Sequence, residues 1–185
     1  MSLEEMKKDM KLRFEKDLLE KRTLYLINEI DDNASDRLSA EILWLNAKSD
    51  EEIIMYINSP GGGIVAGLDV FDIIKHSKAS ITGIVYRQAN SMAIIVLQAC
   101  KKRKAMKHSI FSFHNLRINI RIEWDEYEKI MNKRLQDIKK DQEDYNNIIF
   151  QRSGIKIDTI EQWCKEKKVL SAEESLRFNL IDEII

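Results

Sequence analysis

Apolar residues fall along this chain in two alternating rhythms, one with helical spacing and one of short unbroken runs. Met6, Met10, Phe14 and Leu18 recur every four residues while the other faces carry charge, which predicts an amphipathic N-terminal helix over about 1–21. Thr-Leu-Tyr-Leu-Ile at 23–27 has the composition of a strand. Asp31-Asp32-Asn33 then supplies N-cap residues for a helix to about Ala47 that carries Leu38, Ile42, Leu43 and Leu45. Ile-Ile-Met-Tyr-Ile at 53–57 is an apolar run ended by Asn58-Ser59-Pro60-Gly61-Gly62-Gly63, a strong break. The helix expected over about 64–77 turns Leu68, Phe71 and Ile74 toward the core, and Ile81 to Tyr86 predicts another buried strand. Residues 91–100 are apolar on nearly every face, so their helix belongs at the centre of the domain. Ile110 to His114 reads as a further strand. Buried strands alternating with helices predict an α/β domain whose sheet is covered by helices.

With 185 residues, a single proline and no internal repeat, the chain is expected to form one domain over 1–185. A net charge of −1 gives no basic excess of the kind a nucleic-acid binder carries. Lys-Lys-Arg-Lys at 101–104 is read as a solvated loop. No run of about eighteen apolar residues is present, so no membrane span is expected. The charged start, Met1 to Arg22, is unlike a signal peptide. Cys100 and Cys164 lack a CxxC pattern or a histidine at ligand spacing, which predicts neither a disulfide framework nor a metal site and fits a reducing, cytoplasmic setting. No cofactor is expected.

Two strand-to-helix junctions can carry chemistry. Pro60-Gly61-Gly62-Gly63 frees the backbone for close approach, and the helix start beyond it leaves N–H groups for an oxyanion. A tight connection that needs small residues explains it equally well. Gln88-Ala89-Asn90-Ser91-Met92 sets a hydroxyl at the positive end of a buried helix. Simple capping by Ser91 or Asn90 is the alternative, and Gly-x-Ser-x-Gly is absent. Of the three histidines, His76 and His108 fall in polar, basic surroundings, whereas His114 emerges at the end of a buried strand. The residues alone do not choose between catalysis and structure.

Resemblance narrows the choice. Tyr-Ile-Asn-Ser-Pro-Gly-Gly-Gly at 56–63, Gln-Ala-Asn-Ser-Met at 88–92, and Leu-Ser-Ala-Glu-Glu at 170–174 followed by Leu180-Ile181-Asp182 resemble, in order and spacing, the motifs of the Clp protease proteolytic-subunit family. Leu18 to Asp32 is similar to that family's first strand and the segment after it. The resemblance implies a crotonase-like fold, with Ser91 as nucleophile, His114 as general base, and the N–H groups of Gly62 and Met92 as oxyanion hole. It also implies that segments 62–65 and 115–118, with Gly63, Ile64, Asn115 and Leu116, flank a bound peptide as added strands.

Several positions depart from the family pattern. The catalytic aspartate falls on Lys167, which cannot accept an imidazole N–H while protonated. Glu166 or Glu161 is the substitute to expect, and failing those a water or a backbone carbonyl. Ala93 replaces a glycine, and the Ser91–His114 spacing is two residues short, read as a clipped loop near Lys101–Lys104. Residues 122–150 correspond to the family's protruding handle helix, where Trp124, Met131, Ile138 and Tyr145 recur every seven residues. The family likeness implies a homo-oligomer of seven-membered rings stacked in pairs, fed with unfolded protein by an ATP-driven Clp-type unfoldase. The N-terminal helix is unlike the family's axial gating segment. Two other readings remain open: a catalytically weak or inactive ring subunit, motivated by Lys167, and an acyl-CoA-binding enzyme of the same fold.

Overall fold

The computed structural model describes residues 3–117 and 127–185. Helix α1 (Leu3–Glu20) leads into β1 (Thr23–Ile27), α2 (Asp32–Lys48), β2 (Ile53–Ser59), α3 (Ile64–His76), β3 (Ile81–Ala89) and α4 (Met92–Ala99). Then come β4 (Lys102–Ala105), β5 (Ile110–Ser112), α5 (Tyr127–Ser153), α6 (Ile157–Glu166), β6 (Val169–Ser171), α7 (Ala172–Arg177) and β7 (Glu183–Ile184). The main sheet runs β1-β2-β3-β4-β7, all parallel. Off its path, β5 pairs parallel with β3 at Gln88↔Ile110 and antiparallel with β6. β1, β2 and β3 are rich in Ile, with Leu24, Leu26 and Val85 beside it, because a parallel sheet packs against helices. All eight residues of α4 are buried, as its uniform apolarity predicts.

Local signals act where expected at the start of α2, where the Asp31 carboxylate accepts from the Ala34 N–H at 2.8 Å. On α3 Ile74 is buried and the half-buried Leu68 and Phe71 pack against the core as expected, and the fully buried face also holds Ala66, Gly67 and Val70. Gly67 sets that face: a Cβ there would stand 2.7 Å from Met92 Cε, so α3 and α4 meet closely over it. The Lys101–Lys104 segment is not a solvated loop. Lys102–Ala105 forms β4 inside the sheet, between β3 and β7. Alternation points Lys102 and Lys104 outward to Glu52 and Glu183, and turns Arg103 inward, where it is 4% exposed.

Arg103 is tolerated there because its guanidinium and backbone are satisfied. Nη1 donates to Gln98 Oε1 at 2.6 Å, Nε and Nη2 engage the two carboxylate oxygens of Asp182, and Asp182 Oδ2 also accepts the Arg103 N–H at 2.8 Å. Burial works to raise the Asp182 carboxyl, but the hydrogen bonds and charge of Arg103 prevail and hold it below the usual carboxylate range. A carboxyl depressed in the fold stabilises it above the unfolded pKa of about 4, and that contribution disappears as pH falls through the folded value. Asp182→Asn should therefore lower stability at pH 7 by about 2 kcal/mol, discounted from a fully buried pair because the Asp182 side chain is 43% exposed. Thermal melts of the two proteins should converge below about pH 3. A constant gap across that range would refute the ionic explanation.

Helix α5 is about 40 Å long at 1.5 Å per residue. Its C-terminal half packs on the body through Tyr145 and Ile149, Ile138 lines a cleft with the start of α3, and Leu135 stays 46% exposed. The handle expected over 122–150 is thus helical from Tyr127, and Trp124 lies outside the described residues.

Candidate active site

Three neighbouring strands release their chains at the same edge of the sheet. β2 ends in Pro60–Gly63, β3 ends in Asn90–Ser91, and β5 leads to Phe113–His114. In parallel sheets this carboxyl-end crevice is where ligands are held. Here it is a cleft of about 490 Å³ lined by Glu29, Pro60, Gly61, Gly62, Gly63, Ile64, Ser91, His114, Leu116 and Arg117.

The glycines are fixed by contact, since an isolated bridge joins Gly62 to Ile30. Ile30 N–H donates to Gly61 O at 2.9 Å, and Gly63 N–H to Ile30 O at 2.8 Å. A Cβ on Gly62 would lie 2.3 Å from Ile30 O, and one on Gly61 2.7 Å from Asn90 O. Gly61 also has φ +94°, so both positions demand glycine. The triple-glycine bend is therefore pressed against both the β1–α2 connection and the Ser91 turn.

Ser91 occupies the bend between β3 and α4 with φ 50° and ψ −123°, backbone angles unusual for a residue with a side chain. Its hydroxyl makes no capping bond to α4, and its side chain is nearly buried at the cleft. Capping, the simpler expectation, is thus not its use here. Asn90 does not cap either. Its Oδ1 accepts from Ser112 N–H at 2.9 Å and its Nδ2 donates to Gln88 Oε1 at 2.9 Å. Together with Ser91 N–H donating to Ser112 O at 3.0 Å, this staples the serine bend to β5, the strand that carries His114. The N–H groups of Gly62 and Met92 donate to no backbone acceptor.

Among the described residues no carboxylate bonds to His114. Its Nδ1 lies 2.8 Å from the carbonyl oxygen of Asn115, an acceptor only, so the proton sits on Nδ1 and Nε2 keeps the lone pair. No ion pair joins His114 to any described residue, and no hydrogen bond joins it to Ser91. Glu166, the substitute expected from the sequence, is exposed and accepts from Gln162 Nε2 at 2.9 Å, and no bond links it to His114. Glu161 is likewise exposed and has no bond to the ring.

β5 and β6 pair Ser112↔Val169, and Phe113 N–H donates to Lys168 O at 2.8 Å, so Lys167 and His114 are each one residue from that bonded pair, while Lys167 does not line the cleft. Lys167 ends α6 in the left-handed conformation, φ 53°, and its N–H turns back to α6. Trp163 fixes that helix end against the strand, its ring 5.2 Å from Phe113 and 4.8 Å from Phe178. A family model of the Clp protease matches residues 6–185.

The chain belongs to the Clp protease family.

An asparagine-to-aspartate variant of ClpP1 from Listeria monocytogenes shares the fold at a TM-score of 0.83 and 22% identity, over 93% of this chain and 95% of that chain. The architecture is accordingly crotonase-like, and the family is one of serine peptidases. On the peptide-flanking segments the Clp fold here is narrower than expected. Ile64 already opens α3, so extended backbone on that side is confined to Gly62 and Gly63. Leu116 lines the cleft, Asn115 does not, and the Leu116 N–H already donates to Gln142. Residue 118 lies outside the described residues. Glu29 and Arg117, at the cleft, carried no signal in the sequence; neither belongs to a motif. No group of side chains with metal-binding geometry occurs among the described residues, and no described helix is long and apolar enough to cross a membrane.

Proposed function

We propose that Ser91 and His114 are the hydrolytic pair of a Clp-type peptidase that cleaves unfolded polypeptide. The observation that carries this reading is Ser91 itself, held at a strained strand-to-helix bend with its hydroxyl free of the helix and in the cleft shared with His114. In that role Ser91 Oγ forms a bond to the substrate carbonyl carbon as its proton passes to His114 Nε2. The carbonyl oxygen becomes an oxyanion that the Gly62 and Met92 N–H groups stabilise. Collapse breaks the carbon–nitrogen bond, the departing amine takes the proton from the imidazolium, and water repeats the sequence on the acyl-enzyme. A fluorophosphonate should place one adduct on the Ser91 peptide, read by mass spectrometry, with none when the serine is replaced. Folded protein that carries no adduct at residue 91 would exclude this reading.

A weakly active ring subunit is the second reading, favoured by Lys167 at the position that the family likeness gives to the aspartate and by the neutral carbonyl on Nδ1. Slow labelling, hundreds of times below a carboxylate-bearing serine peptidase, would favour it. Family members assemble as stacked rings, and the more exposed half of α5 is the surface we assign to that contact. Sedimentation as a monomer at micromolar concentration would remove the assignment. Delivery of substrate by an ATP-driven unfoldase belongs to the same proposal, and its test is ATP-dependent loss of a folded substrate.

A further inference from the structure

Among the described residues nothing charged bonds to the ring of His114, yet the acceptor that faces it is itself held. The Asn115–Leu116 peptide group presents its carbonyl oxygen to His114 Nδ1 at 2.8 Å. The N–H of that same group donates to Gln142 Oε1 on α5 at 3.1 Å. Gln142 is fixed in turn, its Nε2 donating to Oδ1 of Asn146, which is 2% exposed. A peptide group is planar, so anchoring its N–H end sets the direction of its C=O end.

We infer that Gln142 is a positioning residue for the general base, orienting the Asn115–Leu116 peptide plane so that its carbonyl takes over the histidine-orienting task of a triad carboxylate. This rests on the reading of His114 as base. The segment after β5 is irregular, and without Gln142 its peptide plane has no other bonded partner among the described residues. The neutral ring then divides between its two tautomers, and the fraction with a basic Nε2 falls. A loose plane would act on turnover and leave substrate affinity alone, because Gln142 does not line the cleft.

Gln142→Met keeps side-chain length and helix propensity while removing the acceptor. It should lower kcat for a fluorogenic peptide about tenfold with KM within twofold. Gln142→Glu, which retains an oxygen for the Leu116 N–H, should restore kcat to within threefold of the parent. Gln142→Ala repeats the loss should the longer thioether disturb packing. A histidine-labelled 15N solid-state spectrum reads the ring directly, with His114→Gln identifying its signals. The parent should show the Nδ1–H tautomer and Gln142→Met a mixture. A kcat within twofold of the parent in both Gln142→Met and Gln142→Ala, or an unchanged tautomer, overturns the inference. Should the parent fail to hydrolyse peptides at all, the spectrum still decides the orienting role, while the hydrolytic pair is what has failed.

Discussion

Ser91→Ala lowers peptide hydrolysis by at least about ten-thousand-fold, with KM and melting temperature unchanged. Removing the nucleophile of a complete serine-peptidase triad costs about a millionfold in kcat. The drop here is expected to be smaller because the described acceptor behind the base is a neutral carbonyl and not a carboxylate. Alanine has no easier access to φ 50° than serine, so the bend between β3 and α4 and the cleft beside it keep their shape. Stability is thereby held constant while only the reacting oxygen is lost. Activity retained within tenfold of the parent would remove Ser91 from the chemistry, however well the variant folds.

The second large effect runs upward. Lys167→Asp should raise kcat/KM on a small fluorogenic peptide about thirtyfold. Loss of the orienting carboxylate in a serine peptidase costs about ten-thousand-fold, largely by presenting the wrong tautomer. In this chain the Asn115 carbonyl already selects the right tautomer, so the remaining deficit is charge. A neutral carbonyl stabilises the imidazolium less than a carboxylate does, and a lysine next to Lys168, whose carbonyl is bonded to Phe113, disfavours it further. Aspartate also accepts the left-handed backbone at this position more readily than lysine, so the end of α6 is not disturbed. Lys167→Gln separates the two contributions: removing the cation alone should give no more than a fivefold rise. Equal rates for aspartate, glutamine and the parent would mean that residue 167 does not sense the base.

Much of this was legible in the order of residues. Strands that bury one face wholly and the other in part carry dense apolar runs, and 23–27 and 53–57 announce themselves that way, although β2 and β3 each run past the apolar segment into polar residues. The cap at Asp31 and the break at Pro60–Gly63 are local chemistry and so are visible locally. β4 was hidden because a buried strand that reads Lys-Arg-Lys-Ala is intelligible only with Asp182, a partner 79 positions away. On α3 periodicity found Leu68, Phe71 and Ile74, which pack on the core, but not Gly67, whose place is set by the close approach of Met92. At the site, motif order pointed to Ser91, Gly62 and His114, which the fold brings to one cleft. A backbone carbonyl on Nδ1 was among the alternatives the sequence left, but which one was out of reach, since every residue has a carbonyl and only the chain's path decides which one meets a ring.

The backbone angles at position 91 have an evolutionary implication. They hold roughly 1–3 kcal/mol of strain in any residue with a side chain, and glycine alone relieves it. Were the hydroxyl idle, random substitution would find that relief cheaply, and selection for foldability would have no reason to resist it. A lineage released from hydrolysis should therefore exchange this serine for glycine early, which makes the residue a gauge of whether its chemistry is still in use.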